Sequence, residues 1–326
     1  MSMAKYVARR SVEILILMFI ISTLTFLLFR LMPSDPVGIQ IDPYRTPEEV
    51  AKMRVLWGLD KSIPEQYIIF VRNLLHGEFG TSYYWGKDVY DIIREKLPAT
   101  VLLFTTMTAL SFSIGMYMGR IIAWRRGGKL EYSSTVVGMF LFSMPGFWIC
   151  LLAVWLFSYK LGAFPLGGMK TTALWTSSAN TSIIVKALDI GYHMFLPLTV
   201  GVLISFSGPM LMMKNVMLET LGEDYITTAR AKGVSEKVVR DHHAARNVML
   251  PMVTVITLSL VSSIGGSMIV ETIFNWPGLG AEFLKAAMNY DYPVAQGAFI
   301  IMAALLLVTL LITEVMYAYL DPRIRY

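Results

Sequence analysis

Few residues in this chain are spaced for chemistry. His242 and His243 are neighbours, so on a helix they point to different faces, and no cysteine or third histidine stands near them to complete a metal site. Cys150 is the single cysteine and lies inside an apolar run, where it reads as a small buried hydrophobe and cannot form a disulfide within the chain. No GxxxxGK[ST] loop is present, so the chain itself is expected neither to bind nor to hydrolyse ATP. HExxH, paired mid-span aspartates and Gly-x-Ser-Gly are equally missing, which speaks against an intramembrane enzyme. No catalytic residue, metal or cofactor is therefore assigned. What remains is Glu271, at the end of an apolar run beside Phe274 and Trp276, with Pro277, Gly278 and Asp291 following. Such a set could gate a pathway or form an external loop, and it could equally anchor a helix at the membrane interface.

The elements that must position these residues are apolar helices. Of 326 residues, 55% are hydrophobic and only 16% charged, against about a quarter charged in soluble domains. Uncharged runs at 11–31, 99–123, 132–158, 193–213, 251–270 and 295–320 each approach the roughly 20 residues that cross a bilayer. The expectation is an all-α polytopic membrane protein of about six spans. The first run has no small-residue cleavage site and reads as a retained helix rather than a signal peptide. Lys5, Arg9 and Arg10 precede the first span; Arg125, Arg126 and Lys129 lie between the second and third. Arg230, Lys232, Lys237, Arg240 and Arg246 lie between the fourth and fifth, and Arg323 and Arg325 follow the sixth. This bias places both termini in the cytoplasm, although Lys160, Lys170 and Lys186 run mildly against it. The net charge of +5 is spent beside the spans, so nucleic acid is not an expected partner.

Residues 32–98 mix both charge signs with Pro33, Pro36, Pro43, Pro47 and Pro64. Two helical patterns within them, at 46–56 and 64–75, suggest a small folded cap outside the membrane. Gly115 with Gly119, and Gly201 with Ser205, have the spacing that lets helices approach closely, or merely reflect a glycine-rich chain. Pro145, Pro197 and Pro209 could kink spans, and helix-end placement accounts equally well for Pro197. Residues 210–213 are methionine-rich and read as core packing.

The informative stretch is 218–250, which runs into Pro251. Two amphipathic helices fit it, broken at Gly233, with Ser235 able to cap the second. The first brings Tyr225, Thr228, Ala229 and Lys232 together; the second sets Val238, Val239, His242 and Arg246 at helical spacing. A helix–turn–helix of this kind can enter a groove on a partner protein, and Arg230, Arg240 and Arg246 offer planar donors to it. A basic amphipathic pair can also lie on lipid. Periodicity leaves both readings open.

The stretch DYITTARAKGVSEKVVRDHHAARNVMLP resembles the coupling segment of ABC importer permeases of the dipeptide and oligopeptide type. The resemblance runs along nearly the whole chain. It takes in Leu31-Met32-Pro33-Ser34-Asp35-Pro36, Gly58-Leu59-Asp60 with Pro64 and Gln66-Tyr67, and Gly77-Glu78-Phe79-Gly80-Thr81-Ser82. Further on come Leu97-Pro98-Ala99-Thr100, the run from Val270 to Gly280, Asp291-Tyr292-Pro293 and the ending from Asp321 to Tyr326. The long segment after the first helix is similar to that of one of the two permeases in such systems. The Glu-Ala-Ala start of the general importer motif stands here as Thr227-Thr228-Ala229, and Gly233 is further from Pro251 than in sugar-type permeases.

The resemblance implies a type I importer permease fold: helix and cap over 1–98, a five-span core over 99–320 with coupling loop 214–250, and a cytoplasmic tail over 321–326. It implies as partners a second permease subunit, two ATP-binding subunits, an external substrate-binding protein and the lipid bilayer of a prokaryotic cell membrane. It assigns ATPase coupling to Glu223, Asp224, Tyr225, Thr228, Ala229, Arg230, Ala231, Lys232, Gly233, His243, Arg246, Asn247 and Pro251. Substrates of such systems include dipeptides, oligopeptides, nickel complexes and oligosaccharides. A stand-alone secondary transporter or channel is the alternative, and would need ionisable residues in mid-span. A structural membrane subunit is a further one.

Overall fold

The computed structural model describes residues 3–32, 46–176, 182–263 and 266–320. Among these the chain is helical apart from turns and an isolated antiparallel bridge between Thr81 and Asp88. In order the helices are α1 (Met3–Arg30), α2 (Pro47–Leu56), α3 (Ile63–Leu75), α4 (Val89–Trp124), α5 (Lys129–Ser143) and α6 (Gly146–Ala153). α6 continues as a π-helical turn, Val154–Lys160. Then follow α7 (Thr172–Thr176), α8 (Ile183–Ser205), α9 (Ser207–Leu221), α10 (Asp224–Ala231) and α11 (Glu236–Val238), which widens into a second π-helical turn, Val239–Ala244. The last are α12 (Ala245–Ser262), α13 (Met268–Ile273), α14 (Leu279–Met288) and α15 (Tyr292–Leu320).

Among the described residues four helices are long and apolar enough to cross a bilayer: Lys5–Arg30, Val89–Trp124, Ile183–Leu221 and Tyr292–Ile312. α5 and α6 with its π-helical extension make a fifth if they are one span, though they meet at 96°. The bend falls where Pro145 follows Met144. Proline pushes its predecessor out of the α region, and Met144 is extended, with φ −74° and ψ 141°. The span expected at 251–270 coincides with α12, whose apolar stretch is shorter, Pro251–Leu260. Residues 33–36, 264–265 and 321–326, which carried parts of the sequence reading, lie outside the described residues.

By their contacts the residues fall into two units. The first takes Met1–Val101, Ile264–Thr272 and Pro277–Tyr326; the second takes Leu102–Ser263 and Ile273–Trp276. The division falls at Val101, inside the continuous helix α4, and the first unit also includes the C-terminal helices.

In the first unit α1 packs along α15. Its other side is apolar and exposed, including Leu15, Phe19, Leu24 and Leu28, as a lipid-facing surface must be. Two of its hydroxyls are satisfied within the helix: Thr23 and Thr25 donate to the carbonyls of Phe19 and Ile21, at 2.8 and 2.7 Å. Arg10 pairs with Glu13 at 2.6 Å and also with Glu314, 304 residues away. The segment expected to form a cap includes α2, where Thr46 and Glu49 form a reciprocal capping box with Pro47 in the first turn, a strong helix start. Phe29, Val89, Ile92, Ile93, Leu279, Tyr292 and Val294 form this unit's core.

In the second unit α4 lies against the α8–α9 rod through glycines. A Cβ at Gly115 would stand 2.6 Å from the Phe206 carbonyl oxygen, and one at Gly119 2.5 Å from that of Met210. Gly201 is likewise covered, by the Met107 side chain, whereas Ser205 is exposed. Pro197 sits inside α8 rather than at an end. Met210 and Met213 are buried, the packing role expected of them, and so is Met217.

Candidate functional site

Between α9 and α12 the chain folds into two arms, α10 and α11 with its π-helical turn. α10 ends at Lys232, after which Gly233 takes φ +74°. The Gly233 N–H bonds the Arg230 carbonyl at 2.9 Å, and the Val234 N–H that of Ala229 at 3.3 Å. That pairing is a Schellman end, and its left-handed residue favours glycine. Ser235 caps the second arm by position, with no side-chain bond; its carbonyl accepts from the Val239 N–H at 3.0 Å.

The arms split cleanly by face. Ile226, Ala229, Val239, Ala244, Ala245 and Val248 are buried together with Met213, Met217, Met252 and Phe112. Glu223, Asp224, Tyr225, Thr228, Arg230, Ala231, Lys232 and Gly233 are exposed, as are Arg246, Asn247 and Pro251, while His243 is half-buried. Ala229, grouped by spacing with Tyr225, Thr228 and Lys232, thus points the opposite way, into the core. Val239 is buried while its neighbour Val238 is exposed, and from Val239 the π-helical turn shifts the second arm off a 3.6-residue period.

Polar contacts lock the arms. Asn247 Nδ2 donates to the Tyr225 hydroxyl at 2.7 Å, joining the first arm to the first turn of α12. Arg230 lies over the Trp124 ring, 5.6 Å from its centre, and 3.3 Å from Glu236. Asp241 accepts from Arg240 at 2.7 and 2.9 Å and faces Arg120 at 3.5 Å. Hydrogen bonding from Arg240, reinforced by Arg120, holds the Asp241 carboxyl below the ordinary carboxylate range. Pro251 lacks the N–H that would close a helical bond to Asn247. Among the described residues no cluster of metal-ligating side chains occurs, His242 and His243 included.

The second set of residues divides between the units. In the first, Glu271 is fully buried. It accepts from the Thr100 hydroxyl and the Ala281 N–H, both at 2.7 Å, and Thr100 accepts from the Leu279 N–H at 2.8 Å. Thr100 and Glu271 therefore satisfy the free N–H groups at the start of α14, where a carboxylate is also favoured by the helix dipole. Gly278 is required by this arrangement, because a Cβ there would collide with the Glu271 carboxyl. Pro277 is half-buried beside it. Asp291, also buried, accepts from the Ser82 hydroxyl and from the N–H groups of Tyr83 and Tyr84, at 3.0 and 3.2 Å for the latter two. In the second unit Phe274 and Trp276 are buried, and the Phe274 carbonyl accepts from the Gly168 N–H at 3.0 Å. Thr100 and Ser82 stood within motifs of the sequence but carried no role there, since hydroxyls paired over 171 and 209 residues leave no local signal.

The profile described as "Binding-protein-dependent transport system inner membrane component" matches residues 111–326. The chain belongs to that family. A companion profile for the N-terminal part of such membrane components matches residues 3–104 of this permease-family chain. Similar proteins include an oligopeptide transport system permease protein, AppB, of Bacillus subtilis, 35% identical over 99% of this chain and all of the relative. A dipeptide transport system permease protein, DppB, of Lactococcus lactis is 34% identical over 99% of this chain and all of the relative. A di/tripeptide permease protein, DppB, of Pseudomonas aeruginosa is 33% identical over 99% of both chains. The family is one of multi-pass membrane transport components, not of enzymes.

Proposed function

We propose that this chain is one of two permease subunits of an ATP-driven importer, that the pair forms the pathway for a peptide or peptide-like solute, and that an external binding protein delivers it. Two ATP-binding subunits dock on the 223–247 arms and drive the spans. The solute class is supported by relatives named as oligopeptide, dipeptide and di/tripeptide permeases. Both termini face the cytoplasm, on the bias of Lys and Arg.

The observation that carries the coupling role is the division of faces in the arms. A helix lying on lipid needs a free apolar face. Here that face, Ile226 with Val239 and Val248, is already buried in the chain's own core. What is left outward is Thr228, Ala231 and Gly233 at the bend. These side chains are small enough to enter a groove, with Lys232 and Arg246 to fix orientation. Docking into a protein uses such a surface; partition into lipid does not. The test is gentle purification from the native membrane, followed by ATPase assays with candidate binding proteins. Two ATPase chains and a second permease should come with it, stimulated by a loaded binding protein. A chain that purifies alone under several mild conditions would move the reading to a stand-alone transporter.

A further inference from the structure

Within the first unit, where the cap helices α2 and α3 meet the C-terminal end of α1 and the first turn of α15, lies a cavity of about 370 Å³. That is within the range of about 300–1,000 Å³ typical of small-ligand sites. Its lining brings together two cations, Arg30 and Lys61, one acid, Glu78, and three side-chain amides, Gln66, Asn73 and Gln296; Gln66 and Gln296 matter most here. Gln296 is only 9% exposed, and its Nε2 has no hydrogen-bond partner among the described residues. Gln66 donates through Nε2 to the Lys61 carbonyl at 2.8 Å, which leaves its Oε1 buried and unpartnered. Buried polar atoms without partners are costly. This cavity therefore presents one unmet donor and one unmet acceptor, beside cations.

We propose that this cavity binds the carboxyl-terminal end of a short peptide. A peptide unit supplies what the two amides lack: its N–H donates to Gln66 Oε1, and its carbonyl accepts from Gln296 Nε2. The terminal carboxylate lies toward Arg30 and Lys61, and in a dipeptide the ammonium lies toward Glu78. A phosphate or phospholipid headgroup would also suit the cations, and it is the competing occupant that the titration separates from a peptide. The site lies on the permease chain itself, so it would receive peptide as a step separate from the binding protein. It extends the importer reading and depends on that reading only for its physiological purpose.

The full chain in lipid nanodiscs, with any subunits that remain bound, is titrated with Ala-Ala, its carboxy-terminal amide and inorganic phosphate up to about 10 mM, a range that reaches the weak millimolar affinities of small ligands. Saturation-transfer NMR reads the binding. Ala-Ala should saturate, and its amide should bind at least tenfold more weakly. Gln296→Leu and Lys61→Ala should each weaken Ala-Ala at least tenfold; Lys61 is exposed, so its variant tests the site without disturbing a core. No Ala-Ala binding across that range, unchanged binding in both variants, or saturation by phosphate instead would overturn the site. Import of Ala-Ala by the assembled complex, alongside no binding here, would reject the site and leave the importer reading standing. Binding here without ATP-dependent import would do the reverse.

Discussion

A carboxylate buried as completely as Glu271 is costly unless hydrogen bonds replace its water. Thr100 and the first turn of α14 supply those bonds. Gly278→Ala would drive a methyl into that carboxyl, and overpacking of this kind costs about 1–3 kcal/mol. The apparent Tm of the detergent-purified chain should fall, and Glu271→Ala should lower it too. Because the two residues touch, the double variant should lose clearly less than the sum; strict additivity would reject the contact. A second residue-level prediction concerns Asp241. Its folded pKa lies below its unfolded value, held down first by Arg240 and then by Arg120. Its contribution to stability is thus fully present above the unfolded value of about 3.9 and is lost as pH falls through the lower, folded value. A melting series from neutral to strongly acid pH should show a shallower acid decline in Asp241→Asn than in the native chain. Identical slopes would mean that the ion pair contributes nothing.

At the scale of elements, glycine does two different jobs, and only one of them is steric. Gly119 stands where a Cβ would meet the Met210 carbonyl oxygen at 2.5 Å, so Gly119→Ala should part α4 from α9 and cost about 1–3 kcal/mol, read as lost thermal stability. Gly233 has open space around it and needs its φ of +74° instead. Gly233→Asn should keep transport, because asparagine tolerates that conformation. Gly233→Val should leave membrane insertion intact and release ATPase activity from transport. Loss with both variants would place the requirement in surface bulk rather than backbone; normal transport by the valine variant would count against the coupling role. Much of this was legible in the sequence, since the small-residue spacing marked Gly115 and Gly119, and the break at Gly233 was visible between two amphipathic stretches. The inward turn of Ala229 was not, because Ala229 is four residues from the exposed Tyr225 and three from the buried Ile226, so helical spacing alone joins it to either face. Nor was the start of α4 at Val89. The charged residues Asp91, Arg94, Glu95 and Lys96 hid a helix that continues through Pro98.

Over the whole molecule, hydropathy located the long apolar helices, but it could not say how the chain's ends relate. The spatial answer comes from Arg10 and Glu314, each near the end of its helix, brought together by α1 and α15. Their pairing puts the start of the first helix beside the end of the last, so the two helices run antiparallel and their outer ends share one side of the membrane. Charge then chooses which side: Lys5, Arg9 and Arg10 favour the cytoplasm. On the proposed orientation, the segment joined to the other end of α1, with α2 and α3, lies outside. Cys150, the only cysteine, is buried, and its replacement by alanine gives a background for labelling. On that background Ser62→Cys, in the cap, should react with a membrane-impermeant maleimide on intact cells. Lys5→Cys and Ser235→Cys should react only after permeabilisation. If Lys5→Cys and Ser62→Cys labelled together from outside, a cap and a terminus at opposite ends of one spanning helix could not be true. If Ser235→Cys alone labelled from outside, the arms would face away from any cytoplasmic ATPase, and the coupling proposal would fail while the helix topology of the first unit stood.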